Sequence, residues 1–204
     1  MKRIGTLLIL VFGLVFLSVA VRGDDDRKDD RDRDDSRVAR GLELSPVPLH
    51  LTKRNRELVG LGSYIVNAQA GCNDCHTCPS YKVNPFTTGQ RKNVVNATNY
   101  LAGGVAFNTP GGTFVSPNLT PDPSNDNLPD GGHTFEQFKG MMRTGHDAEP
   151  PHAILQVMPW PVFGNMSDED LLAVYSFLKA IPHAEAGNFF GGNCPAPGLA
   201  KPPV

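Results

Sequence analysis

Cysteine is scarce in this 204-residue chain, with four in all, and they fall as a cluster at 72–78 plus Cys194. No second Cys/His pair follows that cluster at the spacing a closed structural zinc site draws on. Positive charge is not in excess either: 19 Lys and Arg face 21 Asp and Glu, a formal net charge of −2. Without a basic stripe, nucleic acid is excluded as a partner. Long regular elements are also lacking. From Thr77 to His133 there is little periodicity, and the chain's 21 Gly and 18 Pro predict a loop-rich domain wrapped on something it does not itself supply.

What is present begins with an export signal. Met1-Lys2-Arg3 precedes an almost wholly apolar run from Ile4 to Val21, and Ser18-Val19-Ala20 offers the small residues a signal peptidase reads. The run is also about long enough to cross a bilayer as an uncleaved anchor. Residues 1–20 are therefore a signal peptide or a membrane anchor, and either places the rest of the chain in an oxidising, exported setting. Cleavage removes Lys2 and Arg3 and leaves 17 basic against 21 acidic side chains. Asp24 to Arg37 is charged at every position but Ser36, with nothing apolar to bury. Residues 21–48 read as a disordered linker, a spacer or an electrostatic docking arm. Residues 49–186 then make one domain, and 187–204 form a Gly/Pro-rich tail.

The decisive pattern is Cys72-Asn73-Asp74-Cys75-His76. C-x-x-C-H lets two thiols add across the vinyl groups of one haem while the next side chain reaches its iron. Zinc or an iron–sulfur cluster on Cys72, Cys75, His76 and Cys78 is a competing reading, although one short loop cannot wrap a tetrahedron. A thioredoxin-like motif would need a preceding strand, and the approach to Cys72 is helical instead. Lys53 to Ala70 carries Leu58, Leu61, Tyr64, Ile65 and Ala68 at helical spacing, with Gly71 at its exit. Gly60 and Gly62 weaken the middle of that helix but permit a close crossing. Thr134 with Gln137 forms a capping-box pattern for a helix ending near Gly145. Ser167, followed by Asp168, Glu169 and Asp170, starts a last helix that Pro182 stops.

The other face of a His76-ligated iron decides the chemistry. Met141, Met142, Met158 and Met166 are candidates, with the histidines at 133, 146, 152 and 183. Met141 and Met142 sit in a helix, where core packing is expected, and Met166 is placed to staple the helix start at Ser167. Met158 lies in a loop that Pro159 and Pro161 stiffen, after the haem motif and before the last helix. A rigid loop suits a weak thioether–iron bond, so Met158 is the preferred ligand. Trp160 is placed either on the porphyrin or, more simply, in the core. Cys78 and Cys194 remain as a spare pair and are expected to form a disulfide tying the tail back near the haem motif.

Taken together, Cys72 to His76 and Met158-Pro-Trp-Pro-Val-Phe-Gly-Asn-Met-Ser-Asp-Glu-Asp-Leu171 resemble a class I monohaem cytochrome c. The finer similarity is to bacterial cytochrome c subunits and partners of periplasmic dehydrogenases. It is carried by Gly60 to Ala68, Gly103-Gly-Val-Ala-Phe107, Thr113 to Asp122 and Met141-Met-Arg-Thr-Gly145, over about residues 56–182. The resemblance implies an all-α fold of orthogonal helices around one covalently attached haem c, with long irregular loops. It implies His76 and Met158 as iron ligands, with His152 the runner-up, and Asn118 and Thr120 at the haem edge or propionates. It further implies a periplasmic electron carrier between a dehydrogenase donor and a respiratory acceptor, not an enzyme. Two other readings stay open at this level. One is a haem enzyme subunit with peroxidase-type chemistry after loss of Met158. The other is a non-haem metal module.

Overall fold

A computed structural model describes residues 32–186 except 91 and 93, together with 194 and 195. The expected signal peptide or anchor and all but two positions of the tail lie outside these residues. The chain divides into two compact units between Arg37 and Val38. Among the described residues no helix is long and apolar enough to cross a membrane.

The expectation of a disordered linker up to residue 48 is corrected, because residues 32–44 are helical (α1). Charge alone hid this element. Asp34 pairs with Arg37 and Arg40 with Glu43, each at i,i+3 spacing that a helix satisfies. Within the second unit, Val38 lies against Gly60, and the buried Ser63 hydroxyl donates to the Gly41 carbonyl at 2.6 Å.

The first predicted helix is observed as α2, Arg56–Tyr64, continued without a break by a π-helical turn, Ile65–Gln69. It starts three residues later than the periodicity implied, since Thr52 and Asn55 hydrogen-bond each other as a turn. Single π-turns concentrate at functional sites, and this one ends two residues short of the cysteine motif. α2 packs on the last helix, α7, Asp168–Ala180, at Gly62. A Cβ there would collide with the Ala173 carbonyl and the Phe177 side chain, so glycine sets the helix separation. Val59, Val66, Phe177 and Leu178 fill the core around this crossing.

Glycine also ends the π-turn. Gly71, at φ 62°, turns the chain into α3, Cys72–His76. Beyond a short α4, Pro85–Thr88, the long wrap is not wholly irregular. β1, Val105–Thr109, pairs antiparallel with β2, Gly112–Val115, and parallel with β3, Cys194–Pro195. The all-α expectation is therefore corrected to a mainly helical fold with a small three-stranded sheet in the order β2-β1-β3. Cys78 and Cys194 are joined by a disulfide with a Cα separation of 5.5 Å, which brings β3 to the sheet edge.

The last helices start where their caps predict. Thr134 and Gln137 complete a reciprocal capping box on α5, Phe135–Thr144, which ends at Gly145 with φ 69°. A single turn, α6, Trp160–Phe163, leads to α7, whose N-cap Ser167 accepts from the Asp170 amide.

Two outcomes follow for stability. Gly62→Ala should destabilise the domain by about 2–3 kcal/mol through overpacking, read as a lowered thermal midpoint. Replacing Cys78 and Cys194 together by Ser should lower stability by about 2–5 kcal/mol, because the bridge closes a long loop of the unfolded chain; equilibrium denaturation measures it.

Candidate haem-binding site

Three backbone devices aim the C-x-x-C-H motif. Gly71 supplies the left-handed turn, α3 presents Cys72, Cys75 and His76 within one short helix, and Thr77 leaves that helix in an extended conformation. His76 is buried, and its Nδ1 lies 3.1 Å from the Pro117 carbonyl. A carbonyl can only accept, so Nδ1 carries the hydrogen and Nε2 is left as the lone-pair nitrogen. Burial lowers the histidine's pKa, against the opposing pull of that carbonyl, and keeps the ring neutral as a metal ligand requires.

Pro117 is itself fixed by close backbone packing. Gly103, at φ 75°, donates its amide to the His76 carbonyl at 2.7 Å and leaves no room for a Cβ against Ser116 and Pro117. The Gly103-Gly104 and Ser116-Pro117 segments therefore act together to hold the His76 ring.

A cavity of about 480 Å³ opens beside the motif, within the size range of cofactor sites. Cys72, Cys75 and His76 border it, and so does Met158. Its walls are mainly apolar. Val66 comes from the π-turn, Phe107 and Phe114 from the hairpin, Phe138 and Met141 from α5, and Leu171, Val174 and Leu178 from α7. Phe107 and Phe114 are directly cross-strand partners, which is how the sheet contributes to the wall.

The loop bearing Met158 is held at both ends. Pro159 caps α6, whose Trp160 indole covers Gly145 at the end of α5. Arg143 donates to the Gly164 carbonyl, to the Met166 carbonyl at 2.6 Å and to Asp168 at 2.6 Å, so one guanidinium joins α5 to the start of α7. Arg143 carried no signal beyond its place in a matched segment; only the fold shows what it grips.

Other expected site residues lie elsewhere. The Asn118 side chain donates to the Ala184 carbonyl at 2.8 Å and accepts from Thr120, which makes it a loop staple. Neither Asn118 nor Thr120 borders the cavity, although Pro117 and Leu119 do. Trp160 is likewise absent from the lining, being taken up by Gly145. His152 is exposed, close to the Asp147 carbonyl at 3.0 Å, and is also outside the cavity. His133 and Asp130, by contrast, border it.

Burial pushes the Cys72 thiol up to about 12 and raises that of Cys75 as well. Cys78 is committed to its disulfide. Among the described residues no three His, Cys, Asp or Glu side chains converge to hold a metal ion. A flat apolar group with one axial nitrogen and two flanking thiols fits these donors. Haem fits.

Comparison with known proteins gives the same direction. The chain is similar to cytochrome c subunits of dehydrogenases. It is 33% identical over 66% of its length to the gluconate 2-dehydrogenase cytochrome c subunit of Pantoea cypripedii, covering 26% of that protein. It is 29% identical over 63% to the cytochrome c subunit of the quinone alcohol dehydrogenase of Gluconobacter oxydans, covering 22%. Against the fructose dehydrogenase cytochrome subunit of Gluconobacter japonicus it is 29% identical over 69%, covering 24%. The chain thus spans about a quarter of the length of each of these relatives. No protein-family model matches it.

Gly103→Ala should strain the left-handed backbone and push on Pro117, costing about 1–3 kcal/mol. Its signature is a fall in both the thermal midpoint and the yield of haem-loaded protein, with Gly140→Ala, where a Cβ meets open space, as the neutral control.

Proposed function

We propose that the chain is a c-type cytochrome that carries single electrons from a dehydrogenase to a respiratory acceptor in the periplasm. The observation that carries the reading is one apolar cavity bordered by Cys72, Cys75, His76 and Met158 together. In this reading Cys72 and Cys75 attach one haem c as thioethers, His76 is the proximal ligand and Met158 the sixth. The single C-x-x-C-H motif supports one haem, and the cytochrome c relatives support a dehydrogenase as donor.

The haem supplies a one-electron couple, whose potential a His/Met pair raises. The protein's part is to keep that couple fast and clean. The Pro117 carbonyl holds the His76 ring so that Nε2 is the nitrogen free to bind the iron. The Arg143 grip and Pro159 hold the methionine loop, which lowers the entropy lost when the thioether is fixed. Phe107, Phe114, Phe138 and the α7 leucines exclude water from the site. With His76 and Met158 both holding the iron, the haem would have no open position for substrate, which separates a carrier from a peroxidase-type enzyme.

Spectroscopy of the exported, haem-loaded protein tests the reading. A c-type reduced spectrum and a ferric methionine-to-iron charge-transfer band are expected, and Met158→Ala should abolish the band while leaving covalent attachment intact. Persistence of the band in that variant would overturn the ligand assignment. Rapid binding of cyanide or peroxide by the wild type would instead favour the haem-enzyme reading.

A further inference from the structure

The cavity has one ionisable corner. Apart from Cys72, Cys75 and His76, its titratable lining residues are Asp130, His133 and Asp147, with no Lys or Arg among them. Asp130 Oδ2 lies 3.9 Å from His133 Nδ1, and Glu149 Oε1 lies 4.0 Å from His133 Nε2. The Asp130 and His133 side chains are only 12% and 14% exposed, whereas Glu149 is 69% exposed. His133 Nδ1 is buried without a hydrogen-bond partner.

The backbone is strained to make this corner. Asp130, Gly131 and Gly132 all have positive φ, at 54°, 75° and 91°. A left-handed aspartate is costly, and such strain persists only where the surroundings hold it. Here the His133 amide donates to the Pro129 carbonyl at 3.0 Å, and the Tyr175 hydroxyl from α7 donates to the His133 carbonyl at 3.0 Å. Asp130 and its neighbour His133 are thus pinned, mostly buried, at the wall of a site lined mainly by apolar side chains.

On the haem reading of this cavity, we propose that Asp130, faced by His133, is a proton-exchange site coupled to the haem. Asp130 holds more proton when the iron is ferrous than when it is ferric. The physical cause is charge. Oxidation adds one positive charge in a low-dielectric enclosure, where a nearby proton is repelled far more than in water. When the iron gives its electron to a one-electron acceptor protein, Asp130 releases a proton to water; reduction reverses both.

The surrounding charges set the working range. Burial raises the Asp130 carboxyl to about 6; His133 pulls it down and Asp147 pushes it up. From the elements packed on the pair, Asp147 and Glu149 follow α5, and α7 contributes the neutral Tyr175. Lys139 of α5 is engaged by Glu136 and Asp168, and Asp122 on the same loop is engaged by Ser124. The sign follows. Ferric iron lowers the proton affinity of Asp130, so the reduction potential falls as pH rises through the window near 6 and is flat well above and below it. A tenfold difference in affinity between the two redox states gives a total drop of about 59 mV.

Spectroelectrochemical titration of the haem-loaded protein between about pH 4.5 and 8.5 tests this. A falling wild-type potential is expected, flattened at least twofold in Asp130→Asn and moved to higher pH in His133→Gln, which removes the group that pulls the Asp130 carboxyl down. A pH-independent wild-type potential overturns the proposal, as does a wild-type slope retained in Asp130→Asn, which would assign the proton to the haem propionates. Should either variant fail to fold, proton uptake by weakly buffered wild type on reduction decides: a fraction of a proton per haem near pH 6 supports it, and none refutes it. Failure to find a c-type spectrum would remove the haem reading itself, whereas a haem protein with a flat potential would remove only this inference.

Discussion

The hydrogen bond between His76 Nδ1 and the Pro117 carbonyl is the constraint around which the rest is arranged. It fixes the tautomer, the ring plane and the nitrogen that faces the cavity. It also explains several features that look unrelated. Gly103 must lack a side chain so that its backbone can pass Pro117 while its amide holds the His76 carbonyl. Asn118 turns the following residues by bonding Thr120 and Ala184, which anchors the carbonyl-bearing loop to the chain leaving α7. A single axial nitrogen is thus positioned by contacts drawn from well-separated parts of the chain.

The local signals in the sequence were legible where the chemistry is local. Thr134 with Gln137, Ser167 with its acidic followers, and the positive-φ glycines at 71 and 145 depend on neighbours within one turn. The close crossing at Gly62 was also readable, because a glycine on an apolar helical stripe has few other uses. Met158, singled out by the prolines beside it, borders the cavity.

The rest depends on contacts the sequence does not display. The β1–β2 hairpin is short and joined through Thr109-Pro110-Gly111-Gly112, a turn signal that the surrounding Gly- and Pro-rich stretch masks. The helical residues 32–44 carry ion pairs that look the same as a solvated charge run until the i,i+3 partners are drawn. Asn118 and Trp160 were expected at the haem, yet each sits beside a lining residue and spends its own side chain on the scaffold. Adjacency in sequence to a cavity wall is no guide to which side chain faces it. His133 went the other way: one histidine among several acquires meaning only from its burial and its neighbour Asp130.

The Cys78–Cys194 bridge has a consequence for the making of the protein. Cys78 lies three residues from Cys75 in sequence, while its partner is synthesised 116 residues later. During that interval three thiols share one heptapeptide, and a bond between any two of them would occupy a group the finished protein uses differently. On the proposed haem attachment, Cys72 and Cys75 must stay reduced until they are alkylated, and Cys78 must wait for the tail. The partner strand lies at an edge of the sheet, where it adds to β1 without passing between strands already paired.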